Sequence, residues 1–359
     1  MKFGAMVATH IKDWQLLKLA EDLGYDHGWV PDSQMIWSDC YAVLALAAAN
    51  TSRIKLGTGV SIAPTRIAPV TAHSIASIAA LAPGRIFLGM GTGHTAMRVM
   101  GMKPMKPKAF REYLRVVRGL LHGEEVSYSL GDETRDIKFL HLDRKFIDIA
   151  EPIPIWVAAN GPGALRAAGA YGDGRISALN EPPEMAAMSI AAMTTGAEAV
   201  GRTLSDDFHT AALTTAVVLG PEEKLTSERV IEQCGSQVAA ALHYCYENWQ
   251  QSGDDSFIPP LVRNLWDEYC AYVTKMSTAE SKRYLQIHDG HCSYLVPEER
   301  RFITPEAIQT WILAGEPDAI IETLKEAERA GLKEITLLPP MDSARRVFSD
   351  FSTHVMARY

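Results

Sequence analysis

The sequence predicts a single (β/α)8 TIM barrel, and three observations carry that expectation. Strand-like and helix-like segments alternate four times within about the first ninety residues, a cadence that builds right-handed βαβ units and a parallel sheet. The strand segments are short continuous apolar runs, as strands covered on both faces require. Resumed along the chain of 359 residues, the cadence yields eight strands, the number at which such a sheet closes. A doubly wound open sheet shares the alternation but not the count.

Phe3–Ala8 opens as strand one. Lys12–Leu23 repeats apolar residues at helical spacing and stops at Gly24. His27–Pro31 is strand two, followed by the Ala/Leu-rich helix Tyr41–Ala49. Ile54–Ile62 is strand three, interrupted by Gly57 and Gly59, and Val70–Leu81 is its helix. Arg85–Met90 is strand four, passing into a turn through Gly89, Gly91 and Gly93 that ends on His94. Such glycines permit positive φ and close approach of a ligand to bare backbone. Phe110–Leu121 is an amphipathic helix, and residues 123–151 read as an inserted hairpin-like excursion. Ile153–Ala159 is strand five, with a helix through Ala170. Gly174–Leu179 is strand six, Pro183–Val200 its helix, and His209–Leu219 strand seven. The rhythm then breaks: residues 221–303 read as a helical and loop insertion forming part of the substrate pocket or a lid. Helices at Thr304–Ala314 and Pro317–Ala330 precede strand eight, Glu334–Leu338, and Ser343–Ala357 closes the chain.

Composition narrows the function. With 47% hydrophobic and 22% charged residues the chain can bury a large core. A net charge of −8 without any basic block argues against nucleic acid as a partner. No apolar run reaches membrane length and Met1–Ala8 is too short for a signal peptide, so a cytoplasmic location is expected. Five scattered cysteines (Cys40, Cys234, Cys245, Cys270, Cys292) without CxxC fit reduced thiols rather than disulfides or zinc.

A barrel of this kind places chemistry at the C-terminal ends of its strands. The residues there are His10 after strand one, Asp32 and Ser33 after strand two, and Gly59, Val60 and Ser61 in strand three. Thr92, Gly93 and His94 follow strand four; Asn160, Gly161, Pro162 and Gly163 follow strand five; Asn180 follows strand six. The set is poor in carboxylates and carries no metal-ligand pattern, so no metal is expected. Neither G-x-S-x-G nor a Walker A sequence is present. Backbone amides beside flat walls, among them Trp29, Trp37, Trp156 and Met90, suit a large planar cofactor that would do the chemistry itself. Asn160–Gly163 opens a helix whose free N–H groups favour phosphate, or is a plain turn with proline at the first helical position. His94 is a candidate acid/base, or a pocket wall bonded to a ligand carbonyl. His10, Ser33, Trp37 and Trp156 are candidates for the substrate pocket. His288 and His291, in the run HDGH, are a conceivable metal pair, but read first as loop polarity or as part of a lid. Tyr244, Trp249, Trp266 and Tyr269 read as core or subunit interface at helical spacing.

These positions are where the chain resembles the bacterial luciferase-like superfamily, and within it the branch that uses the deazaflavin coenzyme F-420. The matching stretches are IKLGTGVSIAPTRIAPVTA (Ile54–Ala72), GRIFLGMGTGH (Gly84–His94), PIWVAANGPGALRAAGAYGDG (Pro154–Gly174) and AGEPDAIIETLKEAERAGLKEI (Ala314–Ile335). No such stretch covers residues 221–302. The resemblance implies a non-prolyl cis peptide at Gly59–Val60, forming a bulge behind the cofactor ring. It also implies cofactor contacts at Asp32, Thr92, Gly93, Asn160, Gly161 and Gly163, catalysis by His94 with Asp32 fixing the ring edge, and a homodimer built on the early helices. Two departures separate this chain from the sugar-phosphate and alcohol dehydrogenases of that branch. Ser33 and His94 stand where those enzymes carry histidine and glutamate, so their substrates do not transfer. The expected function is hydride transfer between coenzyme F-420 and a small organic substrate. One alternative is a reduced-FMN-dependent monooxygenase acting through a peroxyflavin and supplied by a separate flavin reductase; another is a non-catalytic flavin-binding barrel.

Overall fold

The computed structural model describes residues 1–179, 181 and 183–359. Eight parallel strands form the barrel: β1 (Lys2–Met6), β2 (His27–Val30), β3 (Lys55–Thr58), β4 (Ile86–Gly91), β5 (Ile155–Ala158), β6 (Gly174–Ala178), β7 (His209–Thr214) and β8 (Glu334–Leu337). Going round, the order is β3–β2–β1–β8–β7–β6–β5–β4, and β4 pairs back onto β3 through Leu56–Ile86 and Gly57–Phe87, so the sheet is closed. Closure removes both edges and satisfies every strand from two neighbours.

β3 resumes after a bulge as Ser61–Ile62, which pairs with Met90 and Gly91 of β4. The Gly59–Val60 peptide between the two pieces is cis. A side chain on Gly89 would sit 2.0 Å from the Thr58 carbonyl oxygen, and one on Gly91 would sit 2.7 Å from Val60 Cγ2. Those two glycines therefore serve the packing of β4 against the bulge. They do not leave backbone bare for a ligand, as the sequence had led us to expect.

The helices bury one face each against the outside of the barrel, where Leu17, Leu44, Ile75, Leu88, Val117 and Phe348 form a continuous apolar layer. Asp39 caps the helix Cys40–Asn50 by accepting from the Ala42 amide. Residues 126–137 form the hairpin Val126–Leu130 and Glu133–Ile137, paired antiparallel. No helix among the described residues is long and apolar enough to cross a membrane, and all five cysteines are free.

The structure corrects strand seven. The run read as one strand divides at Thr215: its first part is β7, while Ala216–Val218 leaves the barrel and pairs with Leu313–Gly315. The helix expected to reach Ala314 accordingly stops at Trp311. Beyond that split, helices Glu228–Ser252 and Arg263–Thr274 close on a second apolar cluster of their own, including Val238, Leu242, Tyr246, Trp266, Tyr269 and Phe302.

Candidate active site

The barrel has a sealed floor. Trp29, Phe87 and Trp156 point inward and touch, Phe87 stacking on Trp156 at 4.2 Å and Trp156 on His209 at 4.1 Å. Below them Glu334, fully buried, accepts from Trp29 Nε1 (2.8 Å), Thr336 Oγ1 (2.8 Å) and His209 Nε2 (2.7 Å), with His27 Nδ1 at 2.8 Å. Burial opposes its charge, but His27 and His209 hold its carboxyl well below the usual carboxylate range. This network satisfies polar groups that the apolar floor would otherwise leave stranded. Trp156 belongs to this floor, 6% exposed, which removes it from the substrate pocket where the sequence reading had set it.

At the opposite end, the strand exits gather around an open mouth. The turn after β5 leaves Asn160, Gly161 and Pro162 exposed at the start of the helix Pro162–Tyr171. Arg175, buried on β6, fixes this turn from beneath. Its Nε donates to the Ala159 carbonyl at 2.8 Å, and its two terminal nitrogens each reach an oxygen of Glu181 at 2.7 Å. The turn after β4 runs through Thr92 and Gly93, whose φ of 87° lies in the left-handed region glycine tolerates, into the short helix His94–Arg98. His94 is exposed to the concavity, yet protein crowds round it. Burial first, and then the Arg98 charge, lower its pKa to about 4.

Beside the bulge, Asp32 is enclosed. It accepts from Ser61 Oγ and the Ile62 amide, both at 3.3 Å, and pairs with the Arg66 guanidinium. Ser61 is fully buried and also bonded to Tyr41 at 2.8 Å. The structure therefore corrects two expectations. Asp32, only 4% exposed, holds the second piece of β3 in place and does not present its carboxylate to the mouth. Ser61 has no surface left for a cofactor. Gly59 and Val60 stay half-buried on the mouth side and remain available.

The 221–303 segment makes contacts with residues at the strand exits. Trp37 Nε1 donates to Ser293 Oγ at 2.9 Å, Gln237 Nε2 donates to the Leu338 carbonyl at 2.7 Å, and Arg98 pairs with Glu247 at 2.7 Å. The Tyr244 ring lies 5.6 Å from the His94 ring, and the neighbouring Asn160 side chain partly offsets the upward push that burial gives the pKa of the Tyr244 hydroxyl. Tyr244, exposed, is not part of the core, whereas Trp249, Trp266 and Tyr269 do pack into the second cluster. His10 is exposed at the end of β1, its Nδ1 accepting from the Lys12 amide at 3.2 Å. Ser33 is buried, its carbonyl taken by the amides of Ile36 and Trp37 at 2.9 Å. Gly163 approaches Pro107 too closely for a side chain, and Asn180 lies outside the described residues. Sequence reasoning missed Arg66, Arg175 and Tyr244. None of the three left a signal in the sequence to follow. Two cavities lie elsewhere, one of about 500 Å3 beside Glu223, Arg229 and Asp350, one of about 260 Å3 between Arg66, Met105 and Tyr113. Neither is lined by His94, Asn160, Gly161 or Tyr244, where the strand exits and turns converge.

A family model described as luciferase-like monooxygenase matches residues 12–334. A 5,10-methylenetetrahydromethanopterin reductase from Methanolobus tindarius is 39% identical over 189 residues, covering 52% of this chain and 55% of the relative. An F-420-dependent hydroxymycolic acid dehydrogenase from Mycobacterium tuberculosis is 35% identical over 196 residues, covering 51% and 52%. The match thus spans about half the length of either relative. The structure of a coenzyme F-420-dependent tetrahydromethanopterin reductase from Methanopyrus kandleri superposes with a TM-score of 0.70 at 22% identity, over 100% of this chain and 99% of that one.

Proposed function

The chain belongs to the luciferase-like monooxygenase family, and from that premise we propose that it is an oxidoreductase holding coenzyme F-420 across the mouth of its barrel and exchanging hydride with a small organic substrate. F-420 dependence is stated for the mycobacterial relative and for the Methanopyrus structure. The observation that carries the reading is the grouping of the His94 turn, the exposed Asn160–Pro162 turn and the Tyr244 ring, 5.6 Å from that of His94, at a mouth with a sealed floor.

The residues present fit such a group. The exposed start of the helix Pro162–Tyr171 offers amides of Gly161 and Gly163 to a phosphate, Pro162 having none to lose. The half-buried ledge of Gly59 and Val60, with Thr92 and Gly93 beside it, would support a planar ring. Bound there, the deazaflavin supplies the hydride chemistry. His94, neutral at physiological pH with its pKa lowered to about 4, would accept or return a proton at the substrate heteroatom. Trp37, Tyr244 and His10 would line the rim, and the 221–303 segment would keep water from it. Exposed Leu46, Val70 and Leu81 on the early helices support a homodimer, which light scattering would test.

Titration of the cofactor-free chain with F-420 and with FMN, followed by fluorescence quenching, tests the assignment. Saturation by F-420 with one molecule per chain, and little response to FMN, is expected. Tight FMN binding without F-420 binding would transfer the reading to the monooxygenase class.

A further inference from the structure

Three histidines of the 221–303 segment converge on one point, the His291 ring 6.0 Å from that of Trp37. His243 lies on the helix Glu228–Ser252, one turn before Glu247. His288 and His291 come from the loop that follows. That loop is bent tightly: the His291 amide donates to the His288 carbonyl at 3.1 Å, and the amides of Ser293 and Tyr294 both donate to the Gly290 carbonyl. Gly290 has φ of 74°, and a side chain there would meet the Tyr294 carbonyl oxygen at 2.4 Å. The bend sets His288 and His291 side by side, their rings 5.4 Å apart, with His243 at 5.8 Å from His288.

The far nitrogens are already engaged. His243 Nε2 is 2.7 Å from Glu299 Oε1, and His288 Nε2 is 3.0 Å from Glu247 Oε1. An imidazole donating Nε2–H to a carboxylate must carry its lone pair on Nδ1. The Nδ1 atoms of His243, His288 and His291 are all buried and without a hydrogen-bond partner. One ring nitrogen of each histidine lies within 4.8 Å of those of the other two. His243 is 1% exposed and His288 7%. Three unpartnered lone pairs in one buried place are costly unless something takes them. The His27, His209 and Glu334 group differs: there a carboxylate sits between the rings, bonded to His209 Nε2 at 2.7 Å and 2.8 Å from His27 Nδ1.

We propose that His243, His288 and His291 form a three-nitrogen site for a divalent transition-metal ion, Zn2+ foremost, with Glu299 and Glu247 as the carboxylates that orient two of the ligands. Neutral imidazoles suit zinc and its late first-row neighbours. A carboxylate behind the imidazole is the recurring support for such a ligand, fixing its tautomer and raising its basicity. The ion would pin the 286–302 loop, and with it Ser293 and its bond to Trp37, to the helix Glu228–Ser252. This departs from the absence of metal expected from the sequence, and it is independent of the coenzyme assignment.

The full-length chain, produced without a histidine tag and stripped with EDTA, is loaded with Zn2+ or Co2+ and passed through gel filtration. One equivalent retained per chain, with an intense visible Co2+ absorption of tetrahedral type, is the expected result. His288→Ala and His291→Ala lose that equivalent, and Glu247→Gln binds about 10- to 100-fold more weakly. Retention of no ion by the wild-type chain, or equal retention by both alanine variants, overturns the site. The Co2+ spectrum of the wild-type chain needs no variant to fold, and its absence alone overturns the proposal.

Discussion

The Tyr244 ring rests 5.6 Å from that of His94, with the Asn160 side chain as a neighbour of its hydroxyl. One residue of the inserted segment thereby touches both turns that the barrel contributes to the proposed site. Tyr244→Phe keeps the ring contact and deletes the hydroxyl, and with it any hydrogen bond to the coenzyme. Coenzyme binding should weaken about 2- to 10-fold, the worth of one hydrogen bond of 0.5–1.5 kcal/mol, with the melting temperature held. A binding constant that does not change would detach Tyr244 from the site.

His94 should titrate near pH 4, because burial and Arg98 both disfavour its cation. It is then neutral above that pH, and the acid limb of kcat/KM falls with a midpoint near 4 and not near the ordinary 6.5. The linkage has a definite sign. The unfolded chain takes up the proton at a higher pH than the folded one, so this group removes stability as pH drops from about 6.5 through 4. His94→Ala should cost about 10²- to 10⁴-fold in turnover while leaving coenzyme affinity close to wild type. An NMR titration of the ring with a midpoint at 6.5 contradicts the first statement, and undiminished turnover the second.

Glu334 is the acceptor on which the floor converges. Glu334→Ala strands His27, His209 and Trp29 Nε1 in a dry interior, and about 3–5 kcal/mol of stability should go with it. Its depressed carboxyl means that the stabilisation is complete above the unfolded carboxylate pKa of about 4.5 and is lost as pH falls further. Urea unfolding at pH 7 and at pH 3.5 measures both effects, and equal losses at the two pH values would refute the second.

A pair of glycine replacements separates packing from ligand approach. Gly89→Ala puts a methyl 2.0 Å from the Thr58 carbonyl oxygen, backbone that cannot move aside, so the chain should fold poorly or not at all. At Gly161 nothing lies within 4 Å, and φ of −87° suits alanine. Gly161→Ala should melt with the wild type yet bind the phosphate-bearing coenzyme more weakly. Thermal unfolding and the F-420 titration read the two outcomes separately.

The barrel was legible because each strand is an apolar run bounded by turn residues, and because helices of the right length fill every gap but one. What escaped was depth. Trp156 and the glycines of strand four sit among residues at a strand end, and the chain does not say which level of the barrel an inward residue occupies. The split at Thr215 escaped because HTAALTTAVVL contains no proline or glycine to mark a departure. Asp32 was found, but its partner Arg66 lies 34 residues away and carries no periodic signal. In the inserted segment, helical spacing identified the aromatic core, yet the same spacing gave no sign that Tyr244 faces the other way. HDGH was visible as a motif, whereas Glu247 and Glu299, which give it meaning, belong to separate elements.

Because Trp29, Phe87 and Trp156 stop the bore of the barrel, traffic has one doorway. A coenzyme lying deepest against the bulge must arrive before its reaction partner and depart after it. Steady-state kinetics should therefore be compulsory-order, with the oxidised or reduced coenzyme competing against its own counterpart and never against the organic reactant.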